Sequence, residues 1–466
     1  MWIAVAVIVL VLGSVLFHFL SPWYLTELAS NWSTIDDTIT ITFWVTGFVF
    51  VAVNLFMAYS VIRYRYDKNR RSDYEPENKK LEWWLTGITT VGVAAMLAPG
   101  LWVWNDFVNV PEDAHEVEAV GQQWHWTYRY PGEDGQFGTV QSRLVSDANP
   151  FGMDPDDPRG FDDVLVDSPE MRLPLDRPVK LLLRSKDVLH NFTVTQFRVK
   201  MDLVPGLVSH MWLTPTRTGR FEVLCEELCG IGHFAMRGAV VVDTQEDFDA
   251  WLAAQPTYAE LRDMPDGDSA RGQPLYAVCS ACHGQRGEGM EAMNAPKLAG
   301  QEAWYLRRQL ENYRSGRRGA HPDDEYGRQM APMVATLTNE QAMRDVIAYI
   351  ETLPDEPVAT TVAGDADRGR KIYQVCGACH GWDGQGIQAV KAPRQAGLQD
   401  WYLVRQLNNF KDGIRGAHRD DIYGHQMRQM ASILVNDQAV NDVVAYINTL
   451  SQTSGSQLAQ RSGGEE

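Results

Sequence analysis

The chain has 466 residues, 45% of them hydrophobic, with 42 basic and 60 acidic side chains and a net charge of −18. That length exceeds one ordinary core and predicts about three folded units, while the acid excess argues against a nucleic-acid partner. Six cysteines in so long a chain exclude a disulfide-stapled scaffold and point to separate chemical tasks.

Residues 1–20 (MWIAVAVIVLVLGSVLFHFL) are apolar but lack the basic start and small-residue cleavage site of a signal peptide. Segment 1–26 therefore reads as an extra transmembrane helix, with a signal-like leader as the alternative. Residues 41–62 and 83–104 each run 22 residues without a charge, enough to cross about 30 Å of hydrocarbon. They make 38–105 a transmembrane helical hairpin. The connection 63–80 carries seven Lys or Arg against four acidic residues, whereas 21–40 has no basic residue. The positive-inside rule places 63–80 in the cytoplasm and the soluble remainder outside it. From residue 105 onward there are 35 basic and 52 acidic side chains. That excess suits a small cationic protein partner or simple solubility.

Segment 106–250 has short β-branched or alternating runs, PVKLLLRS (178–185) and GAVVVD (238–243), broken by PGEDG, DPDDPRG and VPG turns. The pattern predicts a β-sandwich or Greek-key barrel. Within it GQQWHWTYRY (121–130) places Trp124, Trp126, Tyr128 and Tyr130 on one face of a strand. Packing accounts for three of these aromatics. The acidic stretch 146–163 reads as a solvated loop, with calcium binding as the alternative.

Near the end of this segment lies CEELCGIGHFAM, Cys225 to Met236. Two thiolates, the His233 imidazole and the Met236 thioether form a soft ligand set that favours copper. One copper needs one cysteine, whereas C-x-x-x-C can bridge two metal ions if a second histidine is at hand. His190, in DVLHNF at the end of a predicted strand, stands 35 residues before Cys225.

After a linker at 251–266 the chain repeats itself with a period of 97 residues: GDSARGQPLYAVCSACHG (267–284) aligns with GDADRGRKIYQVCGACHG (364–381) without a gap. The repeat defines helical domains at 267–353 and 364–450 joined by 354–363. The tail 451–466, rich in Ser, Gln and Gly, reads as disordered. In each copy C-x-x-C-H is the attachment signature of a c-type haem. Cys279 and Cys282 supply thioethers with His283 as iron ligand, and Cys376, Cys379 and His380 do so in the second copy. A four-cysteine zinc site is the alternative, made poor by the spacing and the duplication. For the sixth ligand the copies offer Met330 with Met427, or Met333 with Met430. His321 and His418, in the repeated GAH, read as structural or propionate-side residues.

The C-terminal half resembles class I cytochromes c, above all dihaem ones, through PKLAGQ (296–301) and the Tyr-Leu-x-x-Gln-Leu run from Tyr305. That resemblance implies Met330 and Met427 as the axial ligands. DVLHNF, VKMDLVPG (199–206) and Cys225 to Met236 together resemble subunit II of haem-copper cytochrome c oxidases, and the fused cytochromes resemble the caa-type. The resemblance implies transmembrane helices, an all-β cupredoxin-like Greek-key domain and two all-α cytochrome c domains. It implies a binuclear copper A bridged by Cys225 and Cys229, with His190 and His233 each on one copper, Met236 as weak axial ligand and the Glu227 carbonyl completing the site. The Glu227 carboxylate would reach a magnesium ion, Trp124 would be where electrons enter, and Glu82 would stand at a proton-uptake entrance, with interface decoration as its alternative. The partners implied are subunit I with haem a and copper B, subunit III, and a donor such as a soluble cytochrome c or a bc complex. Electrons would pass through two covalent c haems and copper A to subunit I for reduction of oxygen to water, in a proton-pumping complex of a bacterial inner membrane with its soluble domains in the periplasm. Leu207 departs from the family, which often has Arg after VPG. The competing readings are a copper-A nitric oxide reductase subunit, a membrane electron carrier with no catalytic partner, and a thioredoxin-like copper-delivery protein.

Overall fold

A computed structural model of the chain describes residues 2–21, 26–71, 74, 76–146 and 149–462, with side-chain surroundings to residue 450. Three N-terminal helices, α1 (Trp2–Leu20), α2 (Ser33–Arg63) and α3 (Lys79–Val108), are long and apolar enough to cross a membrane. Their large apolar side chains, Trp44, Phe48 and Trp83 among them, point outward, as hydrocarbon contact requires. The helices overrun the charge-free stretches at both ends. At the start of α3 the Asn78 side chain accepts from the Leu81 N–H at 3.1 Å, which caps an otherwise open helix end.

Ten strands follow: β1 (His115–Gln122), β2 (His125–Tyr130), β3 (Val164–Val166), β4 (Glu170–Pro174), β5 (Val179–Ser185), β6 (His190–Thr193), β7 (Lys200–Leu203), β8 (Val208–Leu213), β9 (Gly219–Leu224) and β10 (Arg237–Asp243). They form two five-stranded sheets, β3-β2-β1-β5-β8 and β4-β10-β9-β6-β7. The pairs β1–β5 and β4–β10 are parallel, with Val117 opposite Leu181 and Met171 opposite Val240, and the remaining pairs are antiparallel. In β5 Val179, Leu181 and Leu183 are buried while Lys180, Leu182 and Arg184 are half-buried, the alternation expected of a strand with one core face. This is the sandwich that the turn spacing predicts. It stands on the membrane helices: the Trp32 indole donates to the Trp212 carbonyl at 3.0 Å, the Trp212 indole donates to the Asp106 carbonyl at 3.1 Å, and Arg198 pairs with Asp36 at 2.6 Å.

Two expectations change here. Residues 251–266 do not form a free linker: α4 (Gln245–Ala253) and α5 (Tyr258–Arg262) run through them and lie on the sandwich. Trp251 packs on Tyr130 at 5.4 Å, and the Tyr258 ring is buried beside Val120 and Leu165. Aromatic residues explain the difference, since each buries enough surface to hold a short helix down. In the tail, the last helix runs on to Ser462 where the composition predicts disorder, and residues 463–466 lie outside the described residues.

The repeated domains are helical, as the periodicity predicts. The first consists of α6 (Ser269–His283), α7 (Ala303–Arg314), α8 (Glu325–Val334) and α9 (Glu340–Glu351). The second consists of α10 (Ala366–His380), α11 (Asp400–Lys411), α12 (Ile422–Ala431) and α13 (Asp437–Ser462). Asp268 and Asp365 cap the first helix of each copy. Where α6 crosses α9, a Cβ on Gly272 would stand 1.9 Å from the Asp345 carbonyl oxygen, and Gly369 would meet Asp442 in the same way at 1.9 Å. Only glycine permits these crossings.

Candidate metal centre and haem pockets

The loop between β9 and β10 carries both thiols. Cys225 Sγ and Cys229 Sγ lie 3.7 Å apart, too far for a disulfide and close enough to share metal ions. His190, at the start of β6, brings Nδ1 to 3.9 Å from Cys225 Sγ. His233 and Met236 lie on the short 3₁₀ turn that closes the loop, with His233 Nδ1 at 3.5 Å and Met236 Sδ at 3.8 Å from Cys229 Sγ. The Glu227 carbonyl oxygen stands 3.2 Å from Cys225 Sγ. All six residues named from the sequence thus converge, and the sulfur, imidazole and carbonyl set fits a copper pair. Among the described residues His190, Cys225 and Cys229 form the one group of three such side chains whose ligand atoms fall within 4.8 Å of each other.

The electrostatics suit this task. The hydrogen bond from Cys229 pulls the Cys225 thiol well below its ordinary value, and the same contact with burial pushes the Cys229 thiol up. Burial disfavours a charged His190, but Asp187 and the Cys225 sulfur more than offset it and raise the imidazole. Asp187 Oδ1 accepts from His190 Nε2 at 2.8 Å, so Nδ1 is left for the cluster, and Asp187 Oδ2 accepts from the Gln123 N–H at 2.7 Å. Sequence reasoning missed Asp187; its position three residues before His190 was the available signal.

Trp124 lies in the turn between β1 and β2 rather than on the strand face, a correction forced by the chain reversing there. Trp126, Tyr128 and Tyr130 fill the sandwich core. The Trp124 indole N–H donates to the Cys229 carbonyl at 3.2 Å. A Cβ on Gly232 would stand 2.5 Å from the indole, so glycine is what lets the ring lie on the cysteine loop.

Each C-x-x-C-H ends the first helix of its copy. His283 Nδ1 donates to the Pro296 carbonyl at 2.7 Å and His380 Nδ1 to the Pro393 carbonyl at 2.7 Å, which frees Nε2 as a metal ligand. Burial lowers both imidazoles, so they stay neutral as ligation requires. Both motifs, Met330, Met333, Met427 and Met430 line one continuous cavity of about 350 Å³ that also reaches Trp124, Gly232 and Ala235. Met333 is 45% exposed, while Met330 is half-buried and Met427 packs on the second helical core. The cavity wall holds buried polar atoms without hydrogen-bond partners: Arg308 Nε and Nη1, Arg318 Nε and the Tyr423 hydroxyl. These suit haem carboxylates. His321 and His418 do something local, each accepting from a backbone N–H two residues on at 3.2 Å, which supports their structural reading.

A family model described as cytochrome c oxidase subunit II, periplasmic domain, matches residues 115–244, and a cytochrome c model matches 269–354 and 366–451. An alternative cytochrome c oxidase subunit 2 of Bradyrhizobium diazoefficiens is 56% identical over 261 residues, which is 56% of this chain and 94% of that protein. The chain belongs to the cytochrome c oxidase subunit 2 family. Its helical half is similar to cytochrome c4 of Azotobacter vinelandii, 32% identical over 194 residues, or 40% of this chain and 90% of that one. The crystal structure of the periplasmic domain of subunit II of cytochrome oxidase from Bradyrhizobium japonicum is 30% identical, covering 31% of this chain and 95% of that one with a TM-score of 0.24.

This subunit 2 is therefore a membrane-anchored electron-transfer component of an oxidase complex. Its subunit II domain implies copper A and its cytochrome domains imply haem c. Two predicted residues stand apart from the copper loop or lack company there. Glu82 is exposed in the first turn of α3, about 35 Å of helix away from the end that meets the sandwich. The Glu227 carboxylate joins no further cluster of acids or histidines among the described residues. In the acidic insert, Asp154 accepts from Gln141, Asp157 from Thr139 and Asp162 from the Asp134 N–H. Those carboxylates serve the loop itself, but the insert is not simply solvated: Phe151, Met153 and Asp163 are buried, and Arg129 donates to Asp163 at 2.9 Å; residues 147 and 148 lie outside the described residues.

Proposed function

We propose that this chain is subunit II of a proton-pumping terminal oxidase of a bacterial inner membrane, with its soluble domains in the periplasm. It takes electrons from a periplasmic donor, a soluble cytochrome c or a bc complex, and hands them to haem a of subunit I, beside subunit III. The observation that carries this reading is the convergence of His190, Cys225, Cys229, His233 and Met236, with Trp124 bonded to Cys229 at the edge of the haem cavity.

In this reading Cys225 and Cys229 would hold two coppers, with His190, His233, Met236 and the Glu227 carbonyl supplying the remaining donors. Copper A and haem c supply reversible one-electron chemistry when bound. Cys279, Cys282, His283 and Met330 would hold one haem, and Cys376, Cys379, His380 and Met427 the other. Trp124 gives electrons their way into the copper loop. Glu82 would receive protons at the cytoplasmic surface, and the Glu227 carboxylate would bind magnesium at the subunit I boundary.

The test is purification of the complex from native membranes through a tag on this chain, followed by assays of haem types, copper and oxygen uptake with reduced cytochrome c. Co-purifying A-type haem with cyanide-sensitive oxygen uptake is the expected result. Two c haems and two coppers with no partner and no oxygen uptake would reduce the chain to a free electron carrier.

A further inference from the structure

The two cytochrome domains are copies of one another, and among the described residues it is the second whose side chains bond to the turn beside the copper loop. In α12, the residue before Met427 is Gln426, whose Nε2 donates to the Trp124 carbonyl at 2.6 Å; the indole of that tryptophan donates in turn to Cys229. Around this link Tyr423 meets His125 edge-on at 6.1 Å, Lys391 pairs with Asp167 at 2.7 Å and Arg220 with Asp420 at 3.4 Å. Ala378 and Cys379, from the second haem motif, pack against the buried cluster that holds Trp124, Cys225, Cys229 and Met236. Cys279 and its counterpart Cys376 each pack on their own domain's core, whereas Cys282, the counterpart of Cys379, has no place in the sandwich cluster.

The domains join each other through a repeated set of bonds. Arg318 donates to Tyr402 and Gln406, and Arg415 donates to Tyr305 and Gln309. Arg308 donates to the Lys391 carbonyl and Arg405 to the Asn294 carbonyl. Each member lies 97 positions from its counterpart, so the pair closes about a pseudo-twofold relation and both motifs open into one cavity.

The repeat also supplies an internal control. Beside the first haem motif Val278, Met290 and Met293 are 46%, 38% and 48% exposed. Their counterparts, Val375, Ile387 and Val390, are half-buried. Val375 lies one turn before Cys379, and Val390 precedes the lysine that pairs with Asp167. The rim that is covered in the second copy is open in the first. Charge points the same way: residues 105–266 hold 14 basic and 28 acidic side chains, whereas 267–353 hold 10 and 11. The acid excess that suggests a cationic partner therefore belongs to the sandwich, whose haem-facing side is already taken.

We propose that the second cytochrome domain is the resident donor fixed on the copper loop, and that the open apolar rim of the first, Val278, Met290 and Met293, is where an external electron-carrying protein docks. This rests on the oxidase reading and adds an order to it. One electron moves per transit: the external protein is oxidised, the copper loop is reduced, and no bond or proton changes. The occupant is a small electron carrier with an apolar rim of its own, because the contact it must match is apolar and nearly neutral.

The test uses the full chain with both haems and copper in place, and it reads reduction of the c haems and copper optically rather than oxygen uptake. Failure of the oxidase reading would therefore be seen separately. Met290→Glu, at the rim residue that does not line the haem cavity, should slow reduction by a reduced soluble cytochrome c at least about tenfold, since a charge in an apolar contact weakens docking on that scale. Reduction by a small-molecule reductant should be unchanged. Reduction by cytochrome c at the unaltered rate would overturn the docking site. Wild-type chain treated with a carbodiimide should form a Lys391–Asp167 amide, found by peptide mass spectrometry, and the linked chain should still pass electrons to copper at the original rate. Absence of the amide, or loss of transfer once it forms, would overturn the resident-donor geometry.

Discussion

Asp187 Oδ1 accepts a hydrogen bond from His190 Nε2 at 2.8 Å, and the opposite ring nitrogen faces Cys225. A carboxylate in this position fixes the tautomer and the ring orientation of a metal-binding histidine. Asp187→Ala should therefore weaken copper binding by about 10–100-fold, measured by titration against a competing chelator. The haem spectra should not change, because Asp187 touches neither haem motif. Unaltered copper affinity would make the aspartate a turn residue only, serving the Gln123 and Val188 N–H groups that it also accepts from.

Trp124 joins the cytochrome side to the copper side through different atoms: its carbonyl accepts from Gln426 and its indole donates to Cys229. Trp124→Phe keeps the first bond and loses the second. Stability should fall by only about 1 kcal/mol for that hydrogen bond, while haem-to-copper transfer slows in flash or stopped-flow measurements. Gly232→Ala pushes against the same indole and should slow the same step, at a cost of about 1–3 kcal/mol for overpacking. Transfer at the wild-type rate in both variants would leave Trp124 as packing.

Much of this was legible in the sequence because the informative spacings are short. C-x-x-x-C with His233 and Met236 is a single loop, and its atoms meet in one place. C-x-x-C-H is a single helix end, and the 97-residue repeat exposes the duplication directly. Distant contacts left weaker traces. Gln426 reaches Trp124 across 302 positions, and nothing in its local pattern separates it from any exposed glutamine. The 251–266 segment looked like a linker by length and polarity, yet Trp251 and Tyr258 pin it to the sandwich through contacts made only after folding. Period-two alternation runs through Trp124 and so predicts a strand there, and the reversal at Gln123–Trp124 carries no glycine or proline to announce it.

Met330 and Met427 are the proposed sixth ligands, with Met333 and Met430 on the same cavity wall. Met330→Ala should remove the sulfur-to-iron absorption of the first haem and lower its potential, because thioether ligation raises it. Met333, largely outside the core at 45% exposure, should tolerate Ala with that absorption intact. Spectra recorded on the purified chain decide between the pairs, and the reverse pattern would move the ligand to Met333.

The helices that begin and end each cytochrome domain are tied by an arginine and an aspartate. Asp442 accepts from Arg368 at 2.7 and 3.1 Å, from Gln438 at 2.7 Å and from the Asp365 N–H at 2.7 Å. These bonds, Arg368 first, hold the Asp442 carboxyl down at about 2. Asp345 is lowered in the same way by Arg271 in the first copy. A carboxylate whose pKa falls on folding adds stability that is complete above its unfolded value, about 4, and is lost as pH drops through the folded value. Asp442→Asn should therefore melt earlier than wild type at pH 7, followed by circular dichroism at the haem bands. The gap should narrow from about pH 4 downward as the wild-type carboxylate takes up its proton. A gap that stays constant across that range would mean that the aspartate acts through shape, leaving its charge without a part in joining α10 to α13.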